Sequence, residues 1–219
     1  MAESNTQTLT LDAKLPSSAT NTTVVGALRE GEGLNVLFPS SATNTTVVGA
    51  LREGGGLNVL LPCGAWTLYF HPAKETRWHM DTYKVVTRVT TFNELAQMFA
   101  EITATDWARG KFFFTPDGIP PLMENAKNIR GGSYSLRVDR TNAGEVMQKY
   151  ILAAVLGRLM NDSANLVSCV RITPRRDFNI LQVWNRDCQS FGKPSDIGQP
   201  DARIPPEEVQ YKPHFEKKI

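Results

Sequence analysis

Glu124 sits in "DGIPPLMENAKNIRGG" (Asp117–Gly132), where Pro120 and Pro121 precede the acid and a double glycine follows it. Most surface glutamates do nothing, but two prolines fix this one better than an ordinary loop would. An ionised carboxylate has two acceptor oxygens and no donor. Guanine's pairing edge presents two parallel N–H donors that such a group can accept together, and adenine lacks that arrangement. Trp78, in the polar loop "HPAKETRWHMD" with Arg77 and His79 as neighbours, is the second candidate. A loop tryptophan is either a lid on the core or an exposed platform on which a base stacks. An acid beside such a platform reads guanine. The third group is "RITPRRD", where Arg171, Arg175 and Arg176 are placed to grip phosphates through charge-assisted hydrogen bonds. Lys127 and Arg130 extend this patch.

Catalytic alternatives find little support. His71, His79 and His214 have no serine or cysteine partner in a nucleophile motif, and "GEGLNV" and "GGGLNV" lack the Gly-Lys-Ser/Thr of a phosphate loop. The chain is expected to be a binding protein rather than an enzyme, with no cofactor and no metal. Three cysteines, Cys63, Cys169 and Cys188, fit neither a disulfide framework nor a zinc site. No apolar run approaches the ~18 residues of a membrane span, and no charged-then-apolar leader opens the chain. A reducing, cytoplasmic setting is expected. The net charge of +2 argues against a polybasic coat for nucleic acid, although residues 61–219 carry 21 basic against 17 acidic side chains.

These candidates need elements to position them. Residues 1–60 hold a 23-residue direct repeat, Leu15–Leu37 and Phe38–Leu60, differing at two positions and rich in Ser, Thr, Asn and Gly. Two copies are too few for a solenoid, so a flexible leader is expected there. Only "GLNVLLP" (Gly56–Pro62) is apolar enough to lie along the folded domain, residues 61–219. Within that domain, Ala65–Phe70, Tyr83–Val89, Ser133–Val138, "LVSCVRIT" and "NILQVW" read as strands, with a short last strand near Val209–Tyr211. Thr91 and Glu94 are spaced as a capping box for an amphipathic helix. A longer helix is expected over Glu145–Met160, capped by Asn142 and Glu145. Period-two strands mixed with two helices favour an α+β fold, a curved and mostly antiparallel sheet with helices on its convex face and a ligand slot on its concave face.

The order of stacking tryptophan, helix, loop acid, Arg-Gly-Gly strand, long helix, basic hairpin and strand tryptophan resembles the eukaryotic translation initiation factor 4E family. The resemblance covers about Leu61–His214, and "WTLYF", "RWHMDTYKVV", "DGIPPLMENAKNIRGG" and Val183–Trp184 carry it. It implies binding of the 7-methylguanosine cap of messenger RNA in the concave slot. Trp78 matches the first stacking tryptophan, Glu124 the guanine-reading acid, and Trp184 the aromatic near the N7-methyl group. N7-methylation makes the base cationic, so stacking gains about 0.5–2 kcal/mol of cation–π attraction. The departures are specific. Met123 stands where the family has its second stacking tryptophan, and Ser133 where an arginine follows the double glycine. The phosphate arginine aligns near Thr173 or Arg175. On the helical face Ala96 replaces the tryptophan that receives the 4G-type scaffold or a 4E-binding repressor, and Phe92 and Leu95 beside it are the other expected partner contacts. The last helix is reduced or missing. The resemblance thus implies a divergent member, of trypanosomatid-like type, a monomer that binds capped RNA and not DNA and recruits it for translation. The alternative is a regulatory or scaffolding relative with weakened cap affinity.

Overall fold

A computed structural model describes residues 58–103 and 106–215. The repeat up to residue 57 lies outside the described residues, as does the leader expected there. Seven strands form one sheet: β1 (Trp66–Pro72), β2 (Lys84–Val89), β3 (Gly110–Pro116), β4 (Gly132–Asp139), β5 (Val167–Pro174), β6 (Phe178–Asn185) and β7 (Gln210–Pro213). Their order is β2-β1-β3-β5-β6-β4-β7, and every pairing is antiparallel. Two helices, α1 (Phe92–Glu101) and α2 (Ala143–Val155), pack on one face. The α+β expectation, a curved antiparallel sheet backed by helices, describes the molecule.

Alternation along the strands divides the apolar side chains between two layers. Trp66, Leu68, Phe112, Phe114, Leu136, Val138, Val170, Ile172, Leu181 and Val183 pack against the helices in the main core. Phe113, Cys169 and Trp184 point the other way and form a small second cluster with Tyr83. That second cluster is the floor of the candidate site.

α1 starts where its capping box predicts. Thr91 Oγ1 accepts the Glu94 N–H at 3.2 Å, and Glu94 Oε2 accepts the Thr91 N–H at 3.1 Å. Phe92, Leu95 and Met98 form its buried stripe. Ahead of it, Val59 and Leu61 lie along the core while Leu60 between them faces outward, as the apolar "GLNVLLP" segment suggested.

Two elements differ from the expectations, β3 in its existence and α2 in its end and its caps. β3, the strand joining the two halves of the sheet, was not anticipated. Its Phe112-Phe113-Phe114 run is buried on both faces, so the polar half of a period-two pattern is missing. α2 stops at Val155 instead of Met160. Gly157 adopts φ +65°, its N–H donates to Ala154 O, and Arg158 N–H donates to Ala153 O, the paired bonds of a Schellman stop. Neither expected cap residue of α2 works as one: Asn142 makes no side-chain cap bond, and Glu145 pairs with Lys149 and Arg203, both at 3.0 Å.

Candidate functional site

A slot of about 160 Å³ opens on the sheet face away from the helices, lined by Trp78, Tyr83, Phe113, Pro121, Leu122, Met123, Glu124, Arg171 and Trp184. An engineered cavity of ~150 Å³ admits benzene, so this volume suits one flat ring system, with anything attached to the ring outside.

The loop after β1 presents Trp78, which is 44% exposed and therefore not a lid on the core. Its indole stacks on the fully buried His71, with centroids 4.6 Å apart and planes 12° from parallel. His71 Nε2 is 2.9 Å from Arg77 O, which also accepts from Thr82 Oγ1 at 3.2 Å, so two side chains hold the residue before the tryptophan. Glu75 closes the loop by accepting from the Thr76 and Arg77 backbone N–H groups and from the Arg77 guanidinium. Those bonds, the guanidinium's first, pull the Glu75 carboxyl down to about 2. Tyr83 and Phe113 meet edge-on at 5.2 Å beneath the slot, and burial pushes the Tyr83 hydroxyl well above its ordinary value.

The opposite wall is the Glu124 loop. Its rigidity comes from Asn128 as much as from the prolines. The buried Asn128 Nδ2 donates to Pro120 O at 2.9 Å and Leu122 O at 2.8 Å, tying both ends of the Pro-Pro-Leu step to one side chain. His214 reaches in from the end of β7, its Nδ1 donating to Asn128 O at 2.8 Å while its Nε2 lies 2.9 Å from Ser133 Oγ. Burial depresses the His214 pKa against the opposing pull of the Asn128 carbonyl and the Glu124 charge. Glu124 itself is exposed, lines the slot, and has no hydrogen-bond or ion-pair partner among the described residues. Its acceptor capacity is free for a ligand. The double glycine that follows is required by close approach: a Cβ on Gly131 would lie 1.8 Å from Asn185 O.

Arg171 lies between the walls. Its guanidinium carbon is 5.3 Å from the Trp78 ring centroid and 4.8 Å from that of Phe113, and Nε donates to Thr173 Oγ1 at 3.0 Å. Burial lowers its pKa from the usual arginine value, yet a guanidinium stays charged through any physiological range. Trp184 is 1% exposed and meets Phe113 and His214 edge-on, and its Nε1 has no partner among the described residues.

Of the residues expected from sequence, Trp78, Met123, Glu124, Arg171 and Trp184 come together around this slot. Three do not. Lys127 Nζ turns away to donate to Gly118 O at 2.8 Å. Arg175 and Arg176 sit exposed in the β5–β6 turn, outside the slot lining. Thr173, one of the two positions suggested for the phosphate arginine, is buried and serves as acceptor for Arg171. The partner-face assignment needs correction: Phe92 and Leu95 are buried against the sheet at 9% and 2% exposure, so neither is available as a surface anchor. Ala96 stays half-buried outside that core stripe. Residues the sequence reading missed are Tyr83, Phe113, His71, Asn128 and His214. A hydrophobic position two faces deep and a histidine with no motif around it gave no signal of their own.

A sheet face carrying an aromatic-walled slot, an unpaired carboxylate and an inward arginine has the shape and polarity to accept a flat, donor-bearing ring. The model of the Eukaryotic initiation factor 4E family matches residues 63–218, and the chain belongs to that family. It is 31% identical over 105 residues to Eukaryotic translation initiation factor NCBP of Arabidopsis thaliana, covering 46% of this chain and 47% of that one. It is 27% identical over 129 residues to Eukaryotic translation initiation factor 4E-2 of Schizosaccharomyces pombe, covering 56% and 52%. The matches thus span about half the length of these relatives. Among solved structures, the fold is shared with C. elegans eIF4E-3 in complex with the 4E-binding protein Mextli and a cap analog (TM-score 0.58, 18% identity, 71% of this chain and 92% of that one). It is shared too with Ascaris suum eIF4E-3 in complex with the m7G cap (TM-score 0.55, 18% identity, 74% and 94%).

Proposed function

We propose that the slot binds the 7-methylguanosine cap of messenger RNA and that the chain helps recruit capped messages for translation initiation. One observation carries the reading: Trp78, Glu124 and Trp184, from three separate parts of the chain, line a single ring-sized slot. The cationic base stacks on the exposed indole of Trp78, gaining about 0.5–2 kcal/mol over a neutral ring. Glu124 accepts from the base's two pairing-edge donors and adds Coulombic attraction. Arg171, anchored by Thr173, takes the phosphates, with Arg175 further out. Met123 closes the second side where an indole is expected, and a thioether on an aromatic ring is worth ~0.3–1.5 kcal/mol. Family membership supports this reading, as do solved relatives described as complexes with the m7G cap and with a 4E-binding protein.

The protein acts as a binding module and not as an enzyme, as a monomer in the cytoplasm, and engages a 4G-type scaffold or a 4E-binding peptide on its helical face. Among the described residues no helix is long and apolar enough to cross a membrane. With Phe92 and Leu95 turned into the core, Ala96 lies where that partner docks, and a flat alanine offers it no aromatic anchor. The same feature, together with Met123, favours a second reading in which a regulatory relative holds the cap weakly.

Tryptophan fluorescence titration with m7GTP and GTP tests the proposal. Clear preference for m7GTP, abolished by Trp78→Ala, supports cap binding. Equal weak quenching by both nucleotides supports the regulator, and GTP turnover in the same tubes defeats the pure binding reading.

A further inference from the structure

Besides Arg171, which lines the slot 5.3 Å from the indole centroid, Trp78 carries a second cation of the protein's own. Lys111 Nζ lies 4.4 Å from the indole centroid and only 3.5 Å from His71 Nδ1, while His71 stacks on the same indole at 4.6 Å. Were lysine and imidazole on opposite faces, they would be separated by roughly the sum of their distances to the ring. At 3.5 Å they share a face. Lys111 does not line the slot, so that shared face is the back of the platform. The ammonium is held there by Glu75 O at 3.3 Å, and its aliphatic stem springs from β3, where Lys111 is the register partner of His71. The charged groups that face it are Arg171 and Arg175, which repel it, and Glu75, which attracts it.

We propose that Lys111 is a specificity-determining residue, a fixed cation behind Trp78 that narrows the preference for N7-methylated over plain guanine. The proposal rests on the reading of the slot as a guanine-cap site. An indole is electron-rich on both faces, and a cation on one face draws π density toward itself. A cationic base stacked on the front meets a depleted ring, and it also feels the ammonium's repulsion through a thin layer of low dielectric. Neutral guanine has no net charge, so both effects act on it more weakly. The phosphates of m7GTP and GTP feel Lys111 alike, so the ratio of the two affinities isolates what the lysine does to the base.

The experiment titrates m7GTP and GTP against the wild-type chain, Lys111→Met, Lys111→Gln and Lys111→Arg. Methionine keeps the length and packing of the stem without the charge, glutamine is a second neutral variant should methionine fold poorly, and arginine keeps the charge. In the neutral variants the m7GTP-to-GTP affinity ratio is expected to rise about threefold or more, while Lys111→Arg keeps the wild-type ratio. An unchanged or smaller ratio in both neutral variants, with both nucleotides still bound, overturns the role of Lys111 and leaves cap binding standing. A wild-type chain that binds neither nucleotide overturns the cap reading itself, and the role of Lys111 with it.

Discussion

Asn128→Ala separates the positioning of the acid from the acid itself. The side chain makes two bonds, to Pro120 O and Leu122 O, and both carbonyls keep a second donor: Leu122 N–H at 2.8 Å for the first, Asn125 N–H at 3.2 Å for the second. Truncation therefore removes two neutral hydrogen bonds, about 0.5–1.5 kcal/mol each, without stranding a carbonyl. A small gain offsets this, because Asn128 Oδ1 is buried with no partner among the described residues and disappears with the amide. The expected net loss of stability is about 1 kcal/mol. The loss in binding has another origin. A loop released at both ends of Pro-Pro-Leu must be ordered again when ligand arrives, at about 0.5–1.5 kcal/mol per immobilised side chain, so m7GTP affinity falls about tenfold. Urea unfolding and fluorescence titration on the same preparation measure both. Stability that falls while affinity holds would show that the prolines alone position Glu124, and unchanged stability would show that the two bonds are not made.

Other outcomes follow from the same geometry. Glu124→Gln replaces one acceptor with a donor facing a ligand donor and removes the charge, so m7GTP affinity falls about tenfold to a hundredfold with stability within ~0.5 kcal/mol of wild type, read by titration and urea midpoint. Gly131→Ala drives a methyl into Asn185 O, a backbone atom that no rotamer change can relieve, and costs about 3 kcal/mol in urea unfolding. The His214 pKa is lower folded than unfolded, chiefly through burial, so the unfolded chain takes up a proton first on acidification. The contribution of this histidine is complete above its ordinary value of ~6.5 and declines as pH falls from there through the depressed folded value. His214→Gln should flatten that part of a urea-midpoint profile against pH.

The parts of the site legible in the sequence were side chains whose type was out of keeping with their setting. Trp78 in a polar loop and Glu124 between prolines and a double glycine announce themselves, because an exposed indole and a fixed acid have few structural uses. What surrounds them is set by strand register. Phe113 faces the slot and its neighbours Phe112 and Phe114 face the core, and a run of three phenylalanines does not reveal that division. His71 acquires its place by stacking behind Trp78, and Lys111 acquires its own by pairing across from His71. The directions of Lys127, Arg175 and Arg176 were equally hidden, since nearness in sequence to a site does not aim a flexible side chain at it. Two differences had visible signals. Phe92, Leu95 and Phe99 recur at helical spacing, which puts them on the one apolar stripe of α1 and argues against giving Phe92 and Leu95 to a partner, and Gly157 is the residue type that ends a helix such as α2.

The most direct measurement is an NMR structure-probing experiment on the complex with m7GTP, following magnetisation transfer from the N7-methyl and purine ring protons of the ligand. Transfer to the indole protons of Trp78 and Trp184, with a ligand imino proton held against Glu124, is the predicted result. A bound nucleotide whose base protons contact neither indole contradicts the account.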